Sequence, residues 1–363
     1  MRITERLLYS LLKLFLGVKE TPGTKLGSSI KKIIVIRQHN QLGDLIVATP
    51  LFRALKENFP GSVITAIVSP QNKKALERNP FIHELFVFDK KRLVEWKYCR
   101  SLFSVLRKEY DLAIVPSITS LSFTSNLLAR LAKSSIRVGP ASLNGEINHA
   151  SFLFNKRVPL DWRQKEDTHA ARRNLDIIEP FGISTEILKP IIFFNEDEKS
   201  EAKNIINHIQ GEANAPVIGL HVGAGKIQNR WHYDNFAGLI LLLHKKYNPK
   251  FYLSRGGKDD DEIINLIKRK CEMEFSVFDK SGMSLLAALI EQSDLFITND
   301  TGPMHAAAST DTPTISLFGP TNPKMWAPLG KNKFYLHKGE DINLIEIKDV
   351  LQLSEQVLSK PST

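Results

Sequence analysis

The chain opens on a run in which Ile3, Leu7, Leu8, Leu11, Leu12, Phe15 and Leu16 recur at three- and four-residue steps. Positions three and four apart share one face of a helix, so the spacing predicts an amphipathic helix within residues 1–19. A polar, Gly-bearing stretch follows over 21–29, and then the period changes. Ile33-Ile34-Val35-Ile36 is a continuous β-branched run, as expected of a strand covered on both faces of a parallel sheet. A polar loop over 37–43 leads to a helical pattern from Asp44 to Leu55. Further strands are expected at 63–68, 85–88 and 112–115, with helical patterns between them, one near 71–78. The pattern restarts after Pro190. A polar helix is expected over 196–210, then strands at 217–221, 251–253, 276–278, 295–297 and 314–317. Helices are expected at 233–246 and, last, at 347–358. Strand and helix alternate about every 25 to 30 residues, which predicts doubly wound parallel sheets.

At 363 residues the chain is long enough for two such domains. The expected organisation is an amphipathic extension over 1–29, one Rossmann-like domain over 30–185 and a second over 186–340. A C-terminal helical segment, 341–363, is placed to pack back on the first domain. Ligands of open parallel sheets bind beyond the carboxyl ends of the strands, so the two sheets are expected to face one central cleft.

Composition narrows the picture. A 42% apolar and 24% charged chain has the content of an ordinary globular protein, which excludes wholesale disorder. Cys99 and Cys271 lie far apart, so neither a disulfide framework nor a zinc site is expected, and a reducing compartment is. A net charge of +10 calls for an anionic partner. The cations are spread along the chain without a nucleic-acid-binding signature, so nucleic acid is not that partner. No uncharged apolar stretch reaches the ~18 residues of a membrane span. Arg2, Arg6, Lys13 and Lys19 charge the first helix, which suits it to an anionic membrane surface. Its pattern fits packing on its own protein equally well. Arg6 and Lys13 interrupt the apolar run, which disfavours a secretory signal.

The distinctive residues fall just after strands. Thr298-Asn299-Asp300-Thr301-Gly302-Pro303-Met304-His305 runs from a strand end into an alanine-rich helix. Asp300 and Thr301 offer capping groups, Gly302 permits close backbone approach, and Pro303 suits the first turn. A helix start of this kind suits a diphosphate, and an ordinary capped helix would look the same. His221-Val222-Gly223-Ala224-Gly225, with Arg230-Trp231 soon after, reads as a phosphate cradle with a guanidinium beside it. It is not a P-loop, and no Gly-x-Gly-x-x-Gly follows the first strand, which argues against a nicotinamide dehydrogenase. Asp259-Asp260-Asp261 looks like an acidic metal motif, but it opens a helix where dipole complementarity accounts for it. No metal site is expected.

Taken in order, these pieces resemble glycosyltransferase family 9, the lipopolysaccharide heptosyltransferase family. The set comprises Gly223-Ala224-Gly225, Arg230-Trp231, Asp300 to His305, and Leu317-Phe318-Gly319-Pro320-Thr321 with Trp326. Val35-Ile36-Arg37, Leu42-Gly43-Asp44, Thr49-Pro50-Leu51, Tyr110 to Ile114, Arg137-Val138-Gly139 and the run from His169 to Gly182 also match, so the likeness covers about 31–330. It implies a GT-B architecture of two Rossmann-like domains, the first (30–185) acceptor-binding and the second (186–340) nucleotide-sugar-binding. It implies an inverting transfer of heptose from ADP-heptose to a lipid-A/core oligosaccharide acceptor, with no cofactor or metal required. Asp44 would be the catalytic carboxylate, with a plain helix N-cap as its alternative. Gly223, Ala224, Gly225, Arg230, Met283, Asp300, Thr301, Gly302, Pro303, Met304 and His305 would bind the donor, with Asp259 or Asp260 near its ribose or sugar. Arg172 and Arg173 would meet the acceptor, and His39 is incidental. The implied location is cytoplasmic, peripheral on the inner face of the inner membrane.

One position departs from that family, which commonly carries a lysine where this chain has Asn229. The departure bears on donor identity. Two alternatives therefore stand beside heptosyl transfer: a GT-B enzyme using another nucleotide sugar, as a transferase or epimerase, and a non-catalytic nucleotide- or lipid-binding protein of the same fold.

Overall fold

A computed structural model of the chain describes residues 3–27, 29–38, 42–213, 215–279 and 282–359, the side chains of 3–8 and 213 excepted. Arg2 and His39, named above, lie outside the described residues, as do Met1 and Ser28. The chain divides into two compact units, Met1–Leu188 and Lys189–Thr363. The boundary falls three residues beyond the one expected.

The first unit holds a seven-stranded sheet. Its strands are β1 (Lys32–Arg37), β2 (Val63–Val68), β3 (Glu84–Val87), β4 (Tyr110–Ile114), β5 (Ser134–Leu143), β6 (Glu146–Ile147) and β7 (Lys156–Leu160). They run in the order β3-β2-β1-β4-β5-β6, with β7 also paired to β5. All pairings but β5 with β6 are parallel. The β-branched run of β1 is buried from Ile33 onward, with Ile33 beside Ile64 on one side and Leu112 on the other. Both faces of this central strand are thus covered, which is why it reads as uninterrupted apolar sequence. Strand order reverses at β1, and its carboxyl end is the switch point where open sheets place ligands.

The helix expected over 44–55 is two helices, Leu42–Val47 and Thr49–Asn58. Pro50 causes the break: its ring lacks an N–H and would clash with the carbonyl four residues back. That carbonyl, of Ile46, instead accepts the Thr49 hydroxyl at 2.7 Å. The N-terminal helix, Ile3–Leu16, lies on this unit, with Tyr9, Leu12 and Leu16 packed on Ala150, Phe152 and Leu153.

The second unit is an all-parallel, six-stranded sheet. It contains β8 (Val217–His221), β9 (Lys250–Ser254), β10 (Ser276–Phe278), β11 (Leu295–Asn299), β12 (Thr314–Phe318) and β13 (Lys333–His337). The order is β10-β9-β8-β11-β12-β13, so its switch point lies between β8 and β11. The C-terminal helix, Ile347–Leu358, belongs to this unit, not to the first as expected. Val350 and Ser354 are fully buried, and Ile347 seats over Gly238 of the helix Tyr233–Tyr247, where an added Cβ would lie 2.6 Å from its Cδ1. Lys246 and Glu355 pair across the same two helices at 2.6 Å.

Gly219 sits mid-strand in β8, where glycine ordinarily weakens a strand. Tyr252 explains it. A Cβ on Gly219 would stand 2.3 Å from the Tyr252 ring and 2.8 Å from that of Phe296, while the Tyr252 hydroxyl is held by Ser293 at 3.1 Å. Gly219→Ala should therefore cost about 1–3 kcal/mol through overpacking. Urea unfolding of the full chain measures this, and an unchanged midpoint would show that Tyr252 can swing aside.

Candidate functional site

At the carboxyl ends of β8, β9 and β11 a cavity of about 380 Å³ opens in the second unit. One wall comes from the loop after β8, with Ala224, Gly225 and Arg230. A second comes from the end of β9 and the turn beyond it, Ser254 to Gly257 with Asp259 and Asp260. Met283, Leu286 and Phe278 form an apolar wall, and Thr301, Gly302 and Pro303 complete the rim. A wider groove of about 570 Å³ runs along the helix Glu196–Gln210 beside Ser276. It lies away from those strand ends, and neither lysine nor arginine lines it, so it is a poor place for phosphates.

Five hydrogen bonds shape the loop after β8. Asn299, at the end of β11, donates its amide to the carbonyls of Val222 and Gly223 at 3.0 and 3.2 Å. Its side-chain oxygen accepts the Trp231 N–H at 3.2 Å. The fully buried Trp231 ring donates to the Ile345 carbonyl at 2.9 Å. Arg230 spends one N–H on the Ala224 carbonyl at 2.7 Å. That contact anchors the guanidinium at the pocket wall and leaves its other N–H groups for an anion.

Of the donor residues expected from the sequence, Ala224, Gly225, Arg230, Met283, Thr301, Gly302 and Pro303 line this cavity. The others do not. Met304 is fully buried in a cluster with Phe318, Ala327 and Trp326. His305 is buried against the Trp326 ring, edge to face at 6.1 Å. Gly223 lies under Asp260, and a Cβ there would fall within 2.1 Å of the carboxylate, so its smallness admits Asp260 rather than a ligand. Asp300 sits behind the rim, taking a hydrogen bond from Asn229 at 3.0 Å. Thr301 occupies the N-cap of the helix Gly302–Ala308 in extended conformation, but its side chain makes no capping bond. The expected cap is absent at that position.

The three consecutive aspartates separate. Asp260 is buried and accepts the Gly256 N–H at 2.8 Å, Asp261 pairs with Arg255 at 2.8 Å, and Asp259 lines the cavity. Beneath them His221, the last residue of β8, is buried with Nδ1 against the carbonyl and hydroxyl of Ser254 at 3.1 and 2.9 Å. Ser254, Gly256 and Leu286 are site residues the sequence does not point to, and His221 enters only as the first residue of the run read as a phosphate cradle. A polar residue closing the apolar run of β8 was the available signal.

In the first unit Asp44 is the third residue of the helix Leu42–Val47, not its cap, and only 4% exposed. Its main-chain oxygen accepts from the Arg37 guanidinium at 3.2 Å, and Arg37 also donates to Asn174 Oδ1. Burial pulls the Arg37 pKa down to about 10, opposed by the charge of Asp44. Arg37 and Gln38 also line a polar cavity of about 180 Å³ with Ser117 to Ser122 and Ser125, beyond the ends of β1 and β4. The expected acceptor contacts are otherwise engaged. Arg173 is buried, donates to the carbonyls of Thr168 and Glu166, and lies over the Trp162 ring. Arg172 pairs with Glu179 and approaches Asp176.

A family model described as glycosyltransferase family 9 (heptosyltransferase) matches residues 99–349. Among curated proteins, lipopolysaccharide heptosyltransferase 3 of Escherichia coli K12 is 27% identical over 303 residues, covering 80% of this chain and 83% of that one. Among solved structures, the family 9 glycosyl transferase of Veillonella parvula superposes with a TM-score of 0.77 at 23% identity, over 93% of this chain and 99% of that one. The E. coli heptosyltransferase WaaC with ADP gives 0.69 at 18% identity, over 90% and 99%. These likenesses carry the GT-B fold: two Rossmann-like units in series along one chain.

Burial lowers the His221 pKa below its ordinary value, with the Asp260 carboxylate opposing. In the unfolded chain the imidazole titrates near 6.5. Below that pH the unfolded state binds the extra proton first, so stability present above it is lost as pH falls. Urea midpoints of His221→Gln should decline less steeply than those of the unaltered protein as pH drops below about 6.5. Parallel declines would assign the acid loss elsewhere.

Proposed function

Because the chain belongs to glycosyltransferase family 9, the heptosyltransferase family, we propose that it moves a heptose from ADP-heptose, with inversion, to a lipid-A/core oligosaccharide acceptor. The cavity of the second unit carries this reading. Its apolar wall of Phe278, Met283 and Leu286 suits a base, while Arg230 with the rim at Thr301 and Gly302 suits a diphosphate. ADP, the ligand of the WaaC relative, combines those two chemistries. Asp259, on the same wall, is the carboxylate left for the ribose, since Asp260 is committed to Gly256.

The chemistry follows from charge. An acceptor hydroxyl is a weak nucleophile at neutral pH, and a carboxylate that takes its proton in the transition state raises the rate by about 10² to 10⁴. Asp44 is the proposed base, and the Arg37 guanidinium stands beside it. Attack on the anomeric carbon in one displacement inverts it. The bond to the diphosphate breaks as the new glycosidic bond forms, and Arg230 meets the growing negative charge. No metal is required in this scheme.

The proposed workplace is the inner face of the inner membrane. No helix among the described residues is long and apolar enough to cross a membrane. The helix Ile3–Leu16 turns Tyr9, Leu12 and Leu16 inward, yet Leu11, Leu14 and Phe15 are 56%, 78% and 72% exposed. Arg130 fixes its end by donating to the Leu16 carbonyl at 2.6 Å, and Lys13 and Lys19 are exposed beside that apolar strip. An apolar strip flanked by cations is what an anionic bilayer takes up. Packing on the protein and binding a membrane are here the work of opposite faces.

Mass spectrometry of products from ADP-heptose and a lipid-A-type acceptor tests the transfer. Asp44→Asn should lower turnover at least about 10²-fold while ADP still protects the fold against heat. A fully active variant would remove Asp44 as the base, and stronger protection by UDP or GDP than by ADP would reassign the donor. For the membrane, changing Leu11, Leu14 and Phe15 together to glutamate should abolish sedimentation with phosphatidylglycerol vesicles and spare activity on a soluble acceptor. Unchanged sedimentation would discard that surface.

A further inference from the structure

The polar cavity of about 180 Å³ in the first unit lies at that unit's switch point, beyond the carboxyl ends of β1 and β4. Asp44 does not line it, and the transfer chemistry above makes no use of it. Ser117, Thr119, Ser120, Ser122 and Ser125 give it a wall of hydroxyls, and Arg37 is its one charged residue among those described. Arg37 is 4% exposed. Its two terminal nitrogens are engaged by Asn174 and by the Asp44 carbonyl. Its Nε is buried too, and no described residue accepts that proton. The same holds for Nε2 of Gln38, which stands beside it in the lining.

Two buried N–H donors without acceptors are costly, and each calls for a group that takes its proton. The hydroxyls lean the same way. Ser122 Oγ accepts from the Ser125 backbone and hydroxyl at 3.2 and 3.1 Å, so its own proton is left for the cavity. Ser122 is also the N-cap of the helix Phe123–Leu131, which brings a positive dipole end to the same space. A guanidinium, an amide and hydroxyls, with no carboxylate among the described lining residues, make a set of donors that fits an oxyanion.

We propose that this cavity seats an oxyanion, a phosphate or a carboxylate, on Arg37 Nε, the Gln38 amide and the Ser122 hydroxyl. The seat goes beyond the sugar transfer and does not depend on it. Its surroundings bear on where the anion comes from. The Tyr9 ring of the N-terminal helix meets Phe123 edge to face at 5.8 Å, one residue along from Ser122. The helix that exposes Leu11, Leu14 and Phe15 is therefore packed at the cavity's rim. An anion carried on a membrane lipid would reach the seat beside that helix, whereas free phosphate needs no such neighbour.

Calorimetry of the full chain with inorganic phosphate tests the seat. Gln38→Leu removes one donor, and Ser120→Asp sets a carboxylate at an exposed position of the lining. Each should weaken phosphate at least tenfold, while Arg230→Gln, in the other unit, should change it less than twofold. Absence of saturable binding would leave the cavity to water and overturn the seat, as would an affinity that both first-unit variants leave unchanged. Dihexanoyl phosphatidic acid, a soluble lipid with a phosphate head, separates the two sources. A lipid-borne anion predicts binding at least tenfold tighter than that of phosphate, an advantage that Tyr9→Ala reduces without altering phosphate itself. Equal affinities would assign the seat to free phosphate and refute the lipid source.

Discussion

One side chain, that of Asn299, decides whether the second unit has a binding site at all. Parallel strands deliver their loops to one edge of the sheet, but nothing in the sheet fixes those loops relative to each other. The Asn299 amide reaches across from β11 to two carbonyls at the end of β8, and its oxygen takes the N–H of Trp231. Three otherwise orphaned backbone groups are satisfied by one buried amide. The loop carrying Ala224, Gly225, Asn229 and Arg230 is thereby tied to the strand that carries Asp300 and Thr301. Losing such a bridge would leave those groups unpaired at about 1–3 kcal/mol each, a strong constraint on how far the cradle can drift.

The first unit uses the same device with charge added. Arg37 ends the central strand, is buried, and spends its donors on Asn174 and on the Asp44 carbonyl. A buried guanidinium is costly to desolvate and holds its place only through such partners. The cost fixes the Leu42–Val47 helix against the strand end and brings a positive charge close to the Asp44 carboxylate. The order of the strand end and the placement of the proposed base are thus consequences of one contact set.

How much of this was legible in the sequence depended on burial. Central strands such as β1 and β8, covered on both faces, write themselves as unbroken apolar runs and were placed within a residue. Strands β5, β7 and β13 were missed: Ser134–Leu143 carries serine, arginine, glycine and proline, and Lys333–His337 mixes charge with aromatics. Half-covered strands look like loops when read one residue at a time. The break before Pro50 follows from backbone sterics, and the strong apolar periodicity of 44–55 masks it. In the site, ordered motifs gave the cavity's rim but not its floor, because His221, Ser254 and Asp260 meet only when strands far apart in sequence are laid side by side.

Glycines show most clearly where reading a motif stops. Gly223 and Gly225 stand two apart in one apparent phosphate loop, and nothing local distinguishes them. In space, Gly223 is there because the Asp260 carboxylate occupies the place its side chain would take, whereas nothing lies within 4 Å of a Cβ on Gly225. The first is a packing requirement, and the second belongs to the open wall of the cavity. A substitution at Gly223 would act through Asp260 and the backbone amide it holds, not through lost contact with a ligand. The same distinction divides Met304 and His305 from Thr301 and Gly302, although all four stand in one run. Sequence adjacency locates the helix, but its first residues, Thr301 to Pro303, stand at the cavity rim while Met304 and His305 turn into the core.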